Sequence, residues 1–205
     1  QLAFFRDGGN DVPLTDGDAL AHAFLPTLES TGLGVRVSGD FSTDPSRTRI
    51  VLDEPTLEQI SLAAAQVVDL IREAFASNPN SPTIECLLPT GDIGALELQR
   101  RSFRSELASG VVRLLRDRPL GNLQVAPGWL NHDDAQRLQR TENVVVLPNG
   151  PPHLNRLATL TKAERLSAKD VLALAAAGDL ELEDAFANSR LNRRVQEWVP
   201  DFEKL

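Results

Sequence analysis

The sequence predicts a mixed α/β protein: an α+β N-terminal part, a βαβαβ parallel middle part and a helical C-terminal part. Three observations lead there. Short apolar runs bounded by glycine and proline alternate with longer stripes of helical period. The middle of the chain switches regularly between the two periods, which favours a parallel sheet with crossover helices. The last quarter keeps only the helical period. Two breaks, Ser77-Asn78-Pro79-Asn80-Ser81-Pro82 and Pro148-Asn149-Gly150-Pro151-Pro152, divide the chain. They delimit a sandwich-like α/β subdomain at 1–78, a βαβαβ subdomain at 83–150 and a helical arm at 151–205.

In chain order, residues 2–5 form a short strand. Residues 15–30 follow as a helix with Leu20, Phe24 and Leu28 on one face, which Pro26 kinks or ends. The turn Thr31-Gly32-Leu33-Gly34 leads to a strand at 35–37, and a second strand spans 48–52. The strongest helix comes next. Thr56 and Gln59 make a capping-box pattern, and Leu57, Ile60, Ala64, Val67, Ile71 and Phe75 make an apolar stripe. In the middle part, strands at 84–88, 123–126 and 144–147 separate two helices. One carries Leu96, Phe103, Leu107, Val111 and Leu114, and the other is a short helix over 131–139. In the arm, Thr161 with Glu164 and Ser167 with Asp170 give two helix starts. Gly178 stops one helix, and Ala185, Phe186, Leu191, Val195 and Trp198 define the last.

Composition narrows the function classes. An apolar fraction of 41% with 24% charged residues is that of a soluble globular chain. No apolar run approaches the ~20 residues that a membrane span needs. The start at Gln1 lacks the basic region and cleavage site of a signal peptide, and a chain without Met reads as a piece of something longer. A lone Cys86 excludes an internal disulfide and a cysteine-built zinc site; in an apolar run it is expected to be inert packing, and it fits the cytoplasm. The net charge of −8 argues against nucleic acid and against an anionic membrane. Arg100, Arg101, Arg104, Arg113, Arg116 and Arg118 read as a solvated helix face, with Glu97 placed to pair with Arg101. What remains is a protein partner or a homo-oligomer.

The three strands of the middle part end alike, in Leu88-Pro89-Thr90-Gly91, Ala126-Pro127-Gly128-Trp129 and Leu147-Pro148-Asn149-Gly150. In an open parallel sheet such turns share the carboxyl edge, where ligands bind. Thr90, Gly91, Trp129, Asn131 and His132 are therefore candidate ligand residues for a small anionic metabolite or nucleotide. The plainer alternative is that proline and glycine simply end strands, while Asn131 and Asp133 cap a helix. His132-Asp133-Asp134 is not expected to make a metal site unless His22 or His153 converges on it, because adjacent helical residues diverge and no second His stands at i+4. Helix–Ala177-Gly178-Asp179–helix has the outline of a DNA-reading motif, but Glu181, Glu183 and Asp184 would repel phosphate. There is no G-x-S-x-G elbow, and Lys162, Lys169 and Lys204 all fall in the polar tail. No catalytic signature assigns a reaction.

The N-terminal part carries "GVRVSGDF" at 34–41, "RTRIVLDEPTLEQI" at 47–60 and a long helix to Phe75. Over residues 1–76 this resembles the C-terminal small domain of fold-type I pyridoxal-phosphate aminotransferases. The resemblance implies that Arg49, with Arg47 second, grips a substrate carboxylate as a bidentate pair. It also implies pyridoxal phosphate as the cofactor of a larger whole; nothing else in the sequence names a cofactor. Three functions are thus expected: an acidic interaction or assembly module within a larger protein or complex, a binder of small anions at the strand ends of 83–150, or a carboxylate-binding domain of an aminotransferase-like enzyme. The first requires no feature that the sequence lacks.

Overall fold

The computed structural model describes residues 1–91, 101–118, 120, 123–127, 144–146, 150–167, 169–171 and 173. Strands and helices are mixed among the described residues, as the α/β class predicts, and the chain divides into two compact units, Gln1–Pro119 and Leu120–Leu205.

The first unit opens with β1 (Leu2–Ala3) and a hairpin of β2 (Phe5–Asp7) and β3 (Asn10–Val12). Gly8 and Gly9 close that hairpin at φ of +56° and +88°, the pair of positive values that a tight two-residue turn requires. Next come β4 (Leu20–Ala23), β5 (Leu25–Ser30) and β6 (Arg36–Ser38). The main sheet has four strands in the order β1-β6-β4-β5, with β6 parallel to β4 and the other two pairs antiparallel.

The helix expected over 15–30 is therefore a β-hairpin. Pro26 supplies no N–H for a helix, and the buried residues are Ala19, Ala21 and Thr27, spaced for strands rather than for a helical stripe. Thr27 Oγ1 donates to Ala21 O across the pair at 2.8 Å, satisfying a buried hydroxyl. Leu20, Phe24 and Leu28 looked like a helical face only because their spacing of four coincides with one.

The strand expected over 48–52 is reduced to a single bridge, Thr43 to Ile50. Asp44 explains the loss. Its Oδ1 accepts from Thr48 N at 3.0 Å and Arg49 N at 3.2 Å, and its Oδ2 accepts from Ser46 Oγ at 2.6 Å. Side-chain bonds of this kind compete with a sheet ladder for the same backbone donors. Arg47, at φ +57°, turns the chain out of the extended region altogether. Arg47 and Arg49 consequently do not share a strand face.

Helix α1 (Glu54–Ser77) buries Ile60, Ala64, Val67, Ile71 and Phe75 of the expected stripe, while Leu57 is only half-buried. Its cap lies three residues earlier than the sequence indicated: Asp53 Oδ1 accepts from Thr56 N at 3.0 Å, with Pro55 in the first turn. Thr56 Oγ1 instead accepts from Ser42 N at 3.0 Å, fastening the preceding loop to the helix.

The Asp53 carboxyl is held below its ordinary value of 3.8, first by the Ser42 hydroxyl and then by the Thr56 hydroxyl and backbone N–H. A carboxyl whose folded pKa is depressed adds stability in full above pH 3.8, and that contribution is lost as pH falls through the lower folded value. Asp53→Asn keeps a capping acceptor but cannot titrate. Its urea midpoint is expected to fall less steeply than that of the wild type on acidification below that pH. Parallel acid limbs for the two proteins would refute this assignment.

Helix α2 (Pro82–Leu87) replaces the strand expected over 84–88. Ser81 and Pro82 stand at N-cap and N1, where proline is favoured, and only at Leu88 does the chain become extended. Thr83 Oγ1 donates to Asp11 at 2.7 Å, tying α2 to β3. Helix α3 (Phe103–Asp117) starts at a capping box in which the Ser102 and Ser105 hydroxyls accept from each other's backbone N–H. Phe103, Leu107 and Val111 are buried as expected, but the stripe continues through Leu115 rather than Leu114. Leu96 lies outside the described residues. Helices α1 and α3 approach closely at Gly110, where an added Cβ would stand 3.0 Å from Ala64 Cβ.

In the second unit, β7 (Leu123–Val125) and β8 (Val144–Val146) form the expected parallel pair. Arg165 bridges to Val125 on the other side of β7, with Val125 N donating to Glu164 O and Leu166 N to Val125 O. Helix α4 (Pro152–Thr161) ends where the sequence suggested a start, with Lys162 in the left-handed region as its C-cap. The Thr161/Glu164 signal is thus a stop followed by a bridge. At the second signal, Asp170 Oδ2 accepts from Ser167 N and Oγ, and Ser167 Oγ accepts from Asp170 N, as a helix start should. The short helix expected over 131–139, the Gly178 stop and the last helix lie outside the described residues.

Candidate interaction surface

The β4–β5 hairpin is closed by one residue, Phe24, between the paired Ala23 and Leu25. Phe24 stands at φ +63°, a left-handed conformation that costs a non-glycine residue roughly 1–2 kcal/mol. Its side chain is 92% exposed, with Leu28 at 77% and Leu25 at 56% on the strand that follows. Two unfavourable features, strained backbone and a wet aromatic ring, coincide on one residue. Thr27, between Leu25 and Leu28, points inward. Strand β5 is the outer strand of its sheet.

The Asp44 loop lies against this edge, because Leu28 N donates to Thr48 O at 2.8 Å. Arg47 and Arg49, one residue either side of Thr48, are both exposed, and neither side chain makes a hydrogen bond among the described residues. Asp44 is held below the ordinary carboxylate value, chiefly by the Ser46 hydroxyl and then by Arg49 N–H, so it remains an anion engaged with its own loop.

The other candidate residues are placed differently. Thr90 and Gly91 join a latch around Arg104 rather than a row of strand ends. Arg104 donates to Asp16 Oδ2 from Nη1 and to Thr90 Oγ1 from Nη2, both at 3.0 Å, and Thr90 N and Oγ1 donate to Gly32 O. Gly32 lies directly beneath the Arg104 side chain. Every polar atom of Thr90 is therefore committed to holding α3 against the turn after β5. Arg104 belongs to this latch and not to a solvated helix face, and Arg101 pairs with Glu106 at 2.6 Å. Trp129, Asn131 and His132 lie outside the described residues, as do Glu97 and Arg100.

Described residues line cavities in both units. An open groove of about 460 Å³ runs between α1 and α3, with Leu57, Ile60 and Val112 on its floor and Arg101, Arg113 and Asp117 along its rim. A smaller one of about 270 Å³ lies beside Lys162 and Arg165 in the second unit. Among the described residues no three His, Cys, Asp or Glu side chains converge as a metal site. Cys86 is buried, and burial pushes its thiol up to about 11, which keeps it protonated and inert. No helix among the described residues is long and apolar enough to cross a membrane.

The signal that sequence reasoning missed is Phe24 itself. In a helix it would have been buried; at a hairpin turn it is presented. Pro26 two residues on, inside the supposed helix, was the available clue. No protein-family model matches the chain, and comparisons with curated proteins and with solved structures gave no match.

Proposed function

We propose that the chain is an interaction module that docks a partner protein through the tip and outer strand of the β4–β5 hairpin. The observation that carries this reading is Phe24, 92% exposed at a strained φ of +63°. Strain of this kind persists where it serves a purpose, and buried aromatic anchors dominate protein interfaces. Leu25 and Leu28, exposed on the same hairpin, add apolar surface near Phe24. The small-anion reading has less support, since residues 84–88 are helical and Thr90 is engaged in the Arg104 latch. The aminotransferase-like reading retains one element, the exposed Arg49, which adjoins the same hairpin.

Phe24→Asn separates the two properties of the residue, because asparagine tolerates the left-handed region and carries no apolar ring. We expect this variant to be more stable than the wild type by about 1 kcal/mol, seen as a rise in the thermal midpoint, and to have lost docking. Docking itself is tested with a photo-crosslinking phenylalanine analogue at position 24 in the producing cell. The expected result is a discrete protein adduct that disappears with Leu28→Asp and is absent when the analogue replaces Glu58, exposed on α1. A yield at position 24 no greater than at position 58 would overturn the proposal.

A further inference from the structure

We infer that the partner segment seated on the hairpin presents an apolar side chain flanked by carboxylates, with Phe24, Leu25 and Leu28 taking the apolar group and Arg47 and Arg49 the acids. This rests on the docking reading above and adds the chemistry of the occupant.

Four observations point the same way. First, the bond from Leu28 N to Thr48 O fixes the loop that carries Arg47 and Arg49 beside the exposed Leu28 of the hairpin. Second, the carboxylate of the same loop, Asp44, is turned inward by bonds to Thr48 N, Arg49 N and Ser46 Oγ. Neither guanidinium makes a hydrogen bond among the described residues, the Arg49 charge reaches Asp44 only through space, and the only acidic residue on β5 is the half-buried Glu29. Guanidinium forks match carboxylates in plane and spacing, which suits discrete acids on a peptide.

Third, backbone pairing along the edge is blocked. Pro26 has no N–H to give, and the N–H of Leu28 is already taken by Thr48. The occupant must therefore insert side chains rather than add a strand, which argues against a second copy joined edge to edge. Fourth, the chain carries a net charge of −8, so an extended anionic bilayer repels the molecule as a whole. A short acidic segment meets only the local arginines.

The test is selection of peptides from a random displayed library on the full chain, on Phe24→Asn and on Arg47→Glu/Arg49→Glu, each shown by circular dichroism to be folded. The wild type is expected to enrich peptides with an aromatic or aliphatic residue between Asp or Glu residues. A labelled peptide from that set should bind the charge-reversed variant at least about tenfold more weakly, and binding to the wild type should fall as salt is raised. Phe24→Asn should not bind it. An enriched set without acidic bias, an affinity unchanged by charge reversal, or failure to enrich any peptide each overturns the inference. So does co-sedimentation with phosphatidylserine vesicles that leaves peptide binding undetected. Neutral peptides that still require Phe24 would sink only the charge assignment, whereas loss of both peptide enrichment and the position-24 crosslink would sink the docking reading as well.

Discussion

Phe103→Ala is expected to destabilise the first unit by about 3–5 kcal/mol, the range for truncating a buried phenylalanine. The ring is 1% exposed and meets Phe41 edge-on, with centroids 5.0 Å apart and planes at 73°. That contact joins three chain segments. Phe103 is the first residue of α3, Phe41 follows β6, and the neighbouring Ser42 N donates to Thr56 Oγ1 in the first turn of α1. Removing the ring opens a void where both helices begin, and neither can close it without shifting its cap. Phe103→Leu should recover most of the loss, because it restores volume without the edge-on geometry. Urea denaturation by circular dichroism measures the effect, with hydrogen exchange at α1 amides assigning it to this unit. A loss of under about 1 kcal/mol would mean that the cavity collapses freely and that the Phe41–Phe103 contact does not hold the two helix starts together.

The parts of the fold legible in the sequence were those where one local signal had no competitor. The stripe from Ile60 to Phe75 could bury itself only as a helix, and the run of valines at 144–146 only as a buried strand. The failures share a cause: a second signal of the same strength lay in the same window. At 15–30, spacing of four suggested a helix while Pro26 opposed it, and buried Ala19, Ala21 and Thr27 decided for strands. At 84–88 the apolar run matched either state, and Ser81-Pro82 at the helix start decided. At 48–52 the alternation was real, but Asp44 captured the donors that a ladder needed. For the surface, Arg47 and Arg49 were visible as cations, and the exposed apolar group at the hairpin was not. Its exposure depends on a turn that only the tertiary structure reveals.

Gly34→Ala is expected to cost about 2–3 kcal/mol, although its φ is one that any residue adopts. The reason is space. A Cβ at Gly34 would stand 3.0 Å from Pro13 Cα and 3.1 Å from Cys86 Cα, both backbone atoms. Those neighbours cannot yield, because Gly34 N donates to Cys86 O at 2.7 Å and Gly34 O accepts from Leu14 N at 3.0 Å. Any displacement that admits a methyl group stretches a bond that Gly34 itself makes. Gly32 differs in both respects: its φ of +68° disfavours alanine by itself, but its nearest obstacle is the Arg104 side chain, which can swing away at the expense of the latch. Cys86→Ala should not rescue Gly34→Ala, since the obstruction is Cα and not the thiol. If the double variant regains wild-type stability, the close approach of α2 to the β6 turn is not what requires glycine at this position.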